Sequence, residues 1–580
     1  MSCQTVVSVR RCEWLHSHYL TVFDRLCLNK IKIIFAFVFG LHYLCEEIGI
    51  VTFNVNNPES SMVQKMPIGI QSFEDLRRKG FAYVDKTSFV YKMVTEGKYY
   101  FLSRPRRFGK SLLLNTLESY FLGKRDLFDG LAIAALEHDW VEYPVLHLDL
   151  NTQKYDSPEA LSSLLDEVVT KWERLYGRDE SEAGIGRRFQ GLIRRAFEQT
   201  GRQVVILVDE YDKPLLQAIG KPELQDAYRA MLKGFYGALK SMDGCIRFAF
   251  LTGVTKFGKI SVFSDLNNLR DISMLPQFHD ICGITEAELH AYFNKEVEEL
   301  ASAKGKTVSE TYAILRENYD GYHFSSEPKA GIYNPFSLLN ALLNSEIGQY
   351  WFETGTPSYL VELLREHRYV LPDLELEEPD ADTLNSVDIA STNPIPVIYQ
   401  SGYLTIKGYD PDFELYRLGF PNREVKQGFL KYLMPYYANT VEGKSSFEVS
   451  RFVRSLREGG IEEFMERLQS FLSACPYELE PEQERHFQSV MYILTSLCGY
   501  HVDIETHTNK GRMDMTVQTQ SYVYIFEFKF NRTAEEALSQ INAKGYSERF
   551  ATDGRTLVKV GVNYSTALRN IDRWVVESEQ

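Results

Sequence analysis

Tyr99-Tyr-Phe-Leu-Ser-Arg-Pro-Arg-Arg-Phe-Gly-Lys-Ser111 runs directly into Leu112-Leu-Leu-Asn-Thr-Leu-Glu-Ser-Tyr-Phe121. The order is a short apolar strand, a turn bearing Pro and Arg, and Gly-Lys-Ser at the start of an amphipathic helix. That is the layout of a P-loop. Such a loop aims backbone N–H groups and a helix N-terminus at phosphates, with a Lys for the outer phosphates and a hydroxyl for Mg²⁺. Gly109 lets the backbone approach, Lys110 brings charge and Ser111 a hydroxyl. Arg107 and Phe108 are further nucleotide-binding positions on the same turn. One position departs from the full pattern: Arg104 stands where the first glycine is expected. On these residues alone, a basic turn capping an ordinary helix is the competing reading.

The partner of this stretch is Val204-Val-Ile-Leu-Val-Asp-Glu210, a buried-type strand ending in two carboxylates. In a nucleotide site Asp209 holds Mg²⁺ and Glu210 polarises the attacking water. Working outward, strands at 144–150, 204–210 and 245–253 alternate with helices at 158–176, 187–201 and 222–242. The alternation predicts an α/β domain with a parallel P-loop NTPase sheet. Ligands then sit at the carboxyl ends of its strands, where Lys110, Asp149, Asp209, Glu210 and Thr252 fall. Thr252 sits where a polar residue can sense the γ-phosphate, with a satisfied strand-end threonine as the equal alternative. In the polar loop 254–283, Lys256 and Arg270 are candidates to neutralise phosphate charge.

Length and composition agree with several domains. The chain has 580 residues, 44% apolar and 13% aromatic, and a net charge of −15. That balance argues against a nucleic-acid-coating protein and confines any nucleic-acid contact to a local basic patch. Eight cysteines with no CxxC pair argue against structural zinc and a disulfide framework, which suits a cytoplasmic setting. Residues 1–62 read differently. Their apolar run from Ile33 to Cys45 is short of the roughly 20 residues that span a bilayer. An upstream extension outside the fold, with Met62 or Met66 as a natural start, is the expectation; a membrane anchor and a packed helix are the alternatives, and no membrane partner is expected.

The expected domains are 63–284 (P-loop ATPase), 285–440 (a mainly helical lid or winged-helix-like subdomain), 441–483 (a helical connector) and 484–580. The last carries a second chemistry. Gly511-Arg-Met-Asp-Met-Thr-Val517 and Tyr522-Val-Tyr-Ile-Phe-Glu-Phe-Lys-Phe530 read as paired strands. Alternation sets Glu527 and Lys529 on one face. A Lys among apolar strand residues is expensive unless it pairs, and Asp514 is the expected partner. Asp514 and Glu527 as Mg²⁺ ligands beside Lys529 form a layout for phosphodiester hydrolysis. A structural ion-pair net is the alternative. Glu484 is a possible further ligand and Gln540 a possible water-orienting group, while His486, His501 and His507 are expected to be structural or solvated.

Met66-Pro-Ile-Gly-Ile-Gln-Ser-Phe-Glu, Tyr83-Val-Asp-Lys-Thr, Arg104-Pro-Arg-Arg-Phe-Gly-Lys-Ser111, Val208-Asp-Glu-Tyr-Asp-Lys-Pro214 and Phe250-Leu-Thr-Gly-Val-Thr-Lys-Phe257 resemble the bacterial AAA-ATPase-like domain proteins. Gly511-Arg-Met-Asp, Ile525-Phe-Glu-Phe-Lys529 and Ala537-Leu-Ser-Gln-Ile541 resemble the PD-(D/E)xK nuclease domain that this family carries. The resemblance covers about 66–575. It implies ATP binding at Lys110, Ser111, Asp209 and Glu210, and a metal-dependent nuclease site at Asp514, Glu527 and Lys529, in a restriction-endonuclease-like α/β domain. Arg104 in place of glycine belongs to the family's form. The expected function is a P-loop ATPase coupled to a Mg²⁺-dependent nuclease acting on DNA or RNA, with an oligomer compatible. The alternative is an ATP-dependent switch or scaffold whose nuclease-like domain only binds.

Overall fold

The computed structural model describes residues 65–580 except 258–267, 328, 354–359, 361–362, 365–368, 370, 386, 388–392, 439–444, 475–482, 500–502, 510–511, 547, 551–553 and 580. The expectations for residues 1–62 therefore lie outside the described residues.

Helices α1 (Phe73–Arg78) and α2 (Thr87–Glu96) precede the first strand, β1 (Tyr99–Ser103), and α3 (Lys110–Phe121) follows it. Then come β2 (Val145–Asp149), α4 (Pro158–Tyr176), α5 (Ile185–Thr200), β3 (Val204–Asp209), the short α6 (Lys213–Gln217), α7 (Pro222–Ser241), β4 (Ile246–Gly253) and β5 (Arg270–Asp271). The five strands form one parallel sheet in the order β2-β3-β4-β1-β5. All six residues of β3 are buried, as a central parallel strand with both faces covered requires. Register sets Leu102 beside Thr252 and Asp149 beside Asp209, so the polar strand ends share one rim. The α/β reading of this region is correct, and helix α4 has the expected bounds.

The next region is mainly helical. It comprises β6 (Ile284–Thr285), α8 (Glu286–Lys304), α9 (Val308–Tyr319), β7 (Ile332–Tyr333), α10 (Pro335–Asn344), α11 (Tyr350–Glu353), the hairpin β8 (Thr405–Asp410) and β9 (Leu415–Gly419), and α12 (Arg423–Ala438). Thr285 with Glu288, and Thr307 with Glu310, close capping boxes that start α8 and α9 sharply. Two further helices, α13 (Ser445–Arg457) and α14 (Ile461–Ser473), pack on the C-terminal sheet: Phe464 lies 5.7 Å from Phe526, and Tyr524 donates to the Leu456 carbonyl at 2.8 Å.

The C-terminal unit begins with α15 (Gln483–Cys498), which packs against α12. Strands β10 (Asp503–Asn509), β11 (Arg512–Gln518) and β12 (Tyr522–Phe530), helix α16 (Ala534–Ala543), and strands β13 (Thr556–Ser565) and β14 (Asn570–Glu579) complete it. The sheet order is β10-β11-β12-β13-β14, with β12 and β13 parallel and the other pairs antiparallel. At Gly561 an added Cβ would meet the Ala534 and Leu538 backbone, so only glycine lets α16 lie this close to the sheet. One continuous apolar core joins residues of the parallel sheet, of α12 and of the C-terminal sheet. Among the described residues no helix is long and apolar enough to cross a membrane.

Candidate functional site

The turn after β1 is built to present its backbone. Arg107 (φ 66°) and Gly109 (φ 96°) both take left-handed conformations, and Gly109 caps α3. A left-handed Arg costs about 1 kcal/mol or more and persists only where surroundings over-determine it. Arg104 anchors the start of the same turn. It is fully buried, donates to the carbonyls of Ser103 (2.9 Å), Ser273 (2.7 Å) and Phe278 (3.0 Å), and lies 4.0 Å over the Phe324 ring. Burial pushes its pKa down. The residue in the first-glycine position is therefore a staple between the loop and the segment 273–279. The mainly helical region holds the same loop: Trp351 donates from its indole to the Arg106 carbonyl at 3.1 Å, and Arg107 stacks 4.8 Å over Phe336.

Lys110, 4% exposed, folds back onto its own loop. Its ammonium donates to the Arg104 carbonyl at 3.0 Å and the Pro105 carbonyl at 3.2 Å, with Glu210 at 3.8 Å. Glu210 itself is left-handed (φ 51°), a second strained residue at the same mouth. Asp209 is buried, and its Oδ1 accepts from the Thr252 hydroxyl at 2.9 Å and from the Glu210 amide at 3.0 Å. Thr252 is thus bonded to the carboxylate through its hydroxyl, as a satisfied strand-end threonine is. Lys256 pairs with Asp271, and Arg270 lies over Tyr100 and Phe278, so neither lines the cavity described next. Asp149 accepts from the Asn151 amide at 2.8 Å, and partial loss of hydration at the strand end raises its pKa.

Lys110 and Glu210 open on a cavity of about 540 Å³. Its polar wall includes Arg106, Arg107, Gly109, Lys110, Ser111, Asn151, Glu210 and Lys213, with Phe108 beside them. Its apolar wall includes Ile68, Ile70, Ile281, Ile284, Phe336 and Leu339, drawn from the segment before α1 and from the helical region. An apolar slot joined to a cationic mouth suits a planar base with a polyanionic tail, and the volume lies within the usual range for small-molecule sites.

In the C-terminal sheet, register puts Asp514 directly across from Glu527 and Arg512 across from Lys529. Register is all that places Asp514. Glu527 is fully buried; its Oε1 accepts from the Lys529 ammonium at 2.8 Å and from the Gln540 amide. The Gln540 carbonyl accepts from Lys529 at 2.6 Å. The partner of Lys529 expected from the sequence was Asp514; its described partners are Glu527 and Gln540, on its own strand and on α16. Glu527 and, across from it in register, Asp514 are the residues available to a divalent cation; Mg²⁺ binds through one or two carboxylates and keeps several waters. Among the residues whose side chains are described, no cluster of three or more His, Cys, Asp or Glu assembles. His486 is largely buried with a lowered pKa, in keeping with a structural role. His501 lies outside the described residues, as does the side chain of Glu484. His507 is placed only by register, across from Asp514.

Comparison with known proteins adds to this geometry. Residues 67–263 match the family described as Predicted AAA-ATPase, and residues 482–574 match the PD-(D/E)XK nuclease superfamily. A protein of Azotobacter chroococcum mcd 1, described as an uncharacterized protein in the vnfD 5′ region, is 36% identical over 529 residues, covering 89% of this chain and 99% of the relative. The chain belongs to the AAA-ATPase-like family with a C-terminal PD-(D/E)XK nuclease superfamily domain.

In this AAA-ATPase-like chain some site residues escape sequence reasoning. Asp212 is fully buried; its Oδ2 accepts from the Val254 amide (3.0 Å), the Thr255 amide (2.6 Å) and the Thr255 hydroxyl (2.7 Å). Burial, and then the charge of Glu210, push its pKa up to about 6. Asn151 and Lys213 reach the cavity from the ends of β2 and β3. The only sequence signal for Asp212 and Lys213 was their presence in the quoted Val208–Pro214 motif; Asn151 had none.

Proposed function

We propose that the chain binds ATP with Mg²⁺ in the cavity between the P-loop and the helical region, and that nucleotide state controls a Mg²⁺-dependent phosphodiester-cleaving site for DNA or RNA in the C-terminal domain. The observation that carries this reading is the cavity itself: one wall is the Gly109–Ser111 helix start with Lys110 and Glu210, the other is apolar. The helix start offers free N–H groups to phosphate oxygens. Ser111 and Asp209 are the residues that would hold Mg²⁺ there, and Glu210 the one that would orient water. Lys110 keeps two neutral carbonyl partners, which a phosphate can outcompete because charge-assisted hydrogen bonds are stronger.

At the second site Asp514 and Glu527 would hold Mg²⁺, which supplies Lewis-acid stabilisation of the phosphodiester when bound. Lys529, held by Glu527 and Gln540, presents a fixed ammonium to a water or a phosphate oxygen. Supporting the coupling, the continuous core and the contact of α12 with α15 join the region that closes on the P-loop to the C-terminal sheet. A cytoplasmic location suits both substrates.

The test is a cleavage assay on single- and double-stranded DNA and RNA, with Mg²⁺ or Mn²⁺, with and without ATP. It is run beside fluorescent ATP binding to wild type and Lys110→Ala. The expected result is ATP-sensitive cleavage, with nucleotide affinity at least about 100-fold weaker in Lys110→Ala. Unchanged affinity in that variant removes the nucleotide site. A wild-type chain inert on every nucleic acid with both metals removes the nuclease.

A further inference from the structure

The cavity contains three lysines, and they differ in what neutralises them. Lys86 pairs with Glu288 at 2.6 Å. Lys110 is enclosed by its loop, with the Glu210 carboxylate at 3.8 Å. The Lys213 ammonium donates to the side-chain carbonyl of Asn151 at 3.0 Å, a neutral acceptor, and among the described residues it makes no ion pair. We infer that Lys213 is a ligand of the terminal phosphate of a nucleoside triphosphate, and that it makes the site prefer triphosphate over diphosphate. The inference rests on the nucleotide reading given above.

The backbone under Lys213 is held firmly. Its amide donates to the Glu210 carbonyl at 3.0 Å, and Pro214 follows it in the first turn of α6. The preceding residues are bolted to the neighbouring strand end: the Tyr211 amide donates to the Thr252 carbonyl at 2.9 Å, its hydroxyl donates to the Thr255 carbonyl at 3.0 Å, and Asp212 takes the three Val254 and Thr255 donors. The side chain alone is left to move. Its present partner is uncharged, so exchanging the Asn151 oxygen for a phosphate oxygen replaces a neutral hydrogen bond by a charge-assisted one, roughly twice as strong.

Position selects which phosphate. The P-loop amides and Lys110 approach from the α3 side of the cavity. Lys213 approaches from the β3 side, three residues after Glu210 and on the same turn. The phosphate next to the water-orienting carboxylate is the one that the water attacks, which is the terminal one. A diphosphate leaves Lys213 on Asn151; a triphosphate recruits it.

The experiment uses the full chain with Mg²⁺ and fluorescent ATP and ADP analogues, on wild type, Lys213→Met, Lys213→Gln and Lys213→Arg. Thermal melts of each variant establish folding, and the glutamine variant serves if the methionine one does not fold. The expected result is a loss of about tenfold or more in ATP affinity for the neutral variants, with ADP affinity within about twofold of wild type and the preference restored in Lys213→Arg. A neutral variant that keeps the wild-type ATP-to-ADP ratio overturns the inference while leaving the nucleotide site intact, as does one that loses both nucleotides equally. A wild-type chain that binds neither nucleotide overturns the site reading and this inference together.

Discussion

Lys110 and Lys529 are ammonium groups drawn into the mouths of two different sheets, yet they keep different company. Lys110 gives its hydrogens to two main-chain carbonyls, and the nearest carboxylate, Glu210, stands off at 3.8 Å. Lys529 is bonded to a fully buried carboxylate, Glu527, at 2.8 Å and to the Gln540 amide carbonyl at 2.6 Å. Carbonyls satisfy hydrogen bonds without cancelling charge, so the first site keeps a positive field for an anion. The second is neutralised in place; to hold a cation it would need the additional carboxylate of Asp514, which lies across from Glu527 in register. The two chemistries are therefore expected to fail separately.

The largest effect tests that separation. Lys529→Ala leaves the Glu527 carboxylate buried without its cation, and the expected outcome is a fall of about 10³ in metal-dependent cleavage, within the range for loss of a positioned proton-transfer or charge-stabilising group. ATP affinity, read by fluorescent nucleotide binding, should stay within about twofold. A parallel loss of ATP binding would break the comparison by showing that the two mouths are one cooperative unit.

Next is Arg104→Met. Three carbonyls lose their guanidinium donor in a buried site, and the expected cost is about 3 kcal/mol of stability by urea unfolding, with weaker nucleotide binding. Stability unchanged from wild type would mean that the loop keeps its shape without the staple. This residue also marks where sequence reading stops. The P-loop, the parallel sheet and the strand carrying Asp209 and Glu210 were legible because hydrophobic runs and a Gly-Lys-Ser helix start are local signals. The departure at Arg104 was visible too, but its purpose was not, since its acceptors lie at 273 and 278. Thr252 was open for the same reason: a strand-end threonine looks alike in sequence whether it faces a ligand or bonds, as its hydroxyl does here, to the neighbouring strand's Asp209. The Asp514 side chain expected to pair with Lys529 lies outside the described residues, and the bond from Lys529 to Gln540 on α16 is a pairing that no strand periodicity contains.

Asp212 sharpens the comparison through pH. Burial raises its carboxyl pKa to about 6, above the usual aspartate value of about 3.8. Between those values the native state holds the proton and the unfolded chain does not, so this residue makes stability fall as pH rises through the window, by at most about 3 kcal/mol. His279, lowered to about 4 by burial, acts oppositely, losing native stability as pH falls from its usual 6.5. The two are separated by difference. Urea unfolding of wild type and Asp212→Asn from pH 4 to 7 should show the variant gaining relative to wild type as pH rises, then levelling above 6. Parallel curves would show that the Asp212 carboxyl titrates normally.

The smallest expected effect concerns how each lysine is aimed. Main-chain carbonyls aim Lys110, and no single side-chain replacement removes them. Lys529 is aimed in part by Gln540, which both accepts from the ammonium and donates to Glu527. Gln540→Ala should lower the cleavage rate constant by about tenfold at unchanged KM for nucleic acid, because the lysine and glutamate remain but lose their relative orientation. Gln540→Glu divides the two roles: it keeps an acceptor for Lys529 and loses the donor to Glu527. If it cleaves like wild type, aiming the ammonium is what matters. If it falls with the alanine variant, the bond that orients the Glu527 carboxylate is the one the site depends on. Equal rates in all three chains would reduce Gln540 to packing and leave the second lysine held, like the first, by its own strand and loop alone.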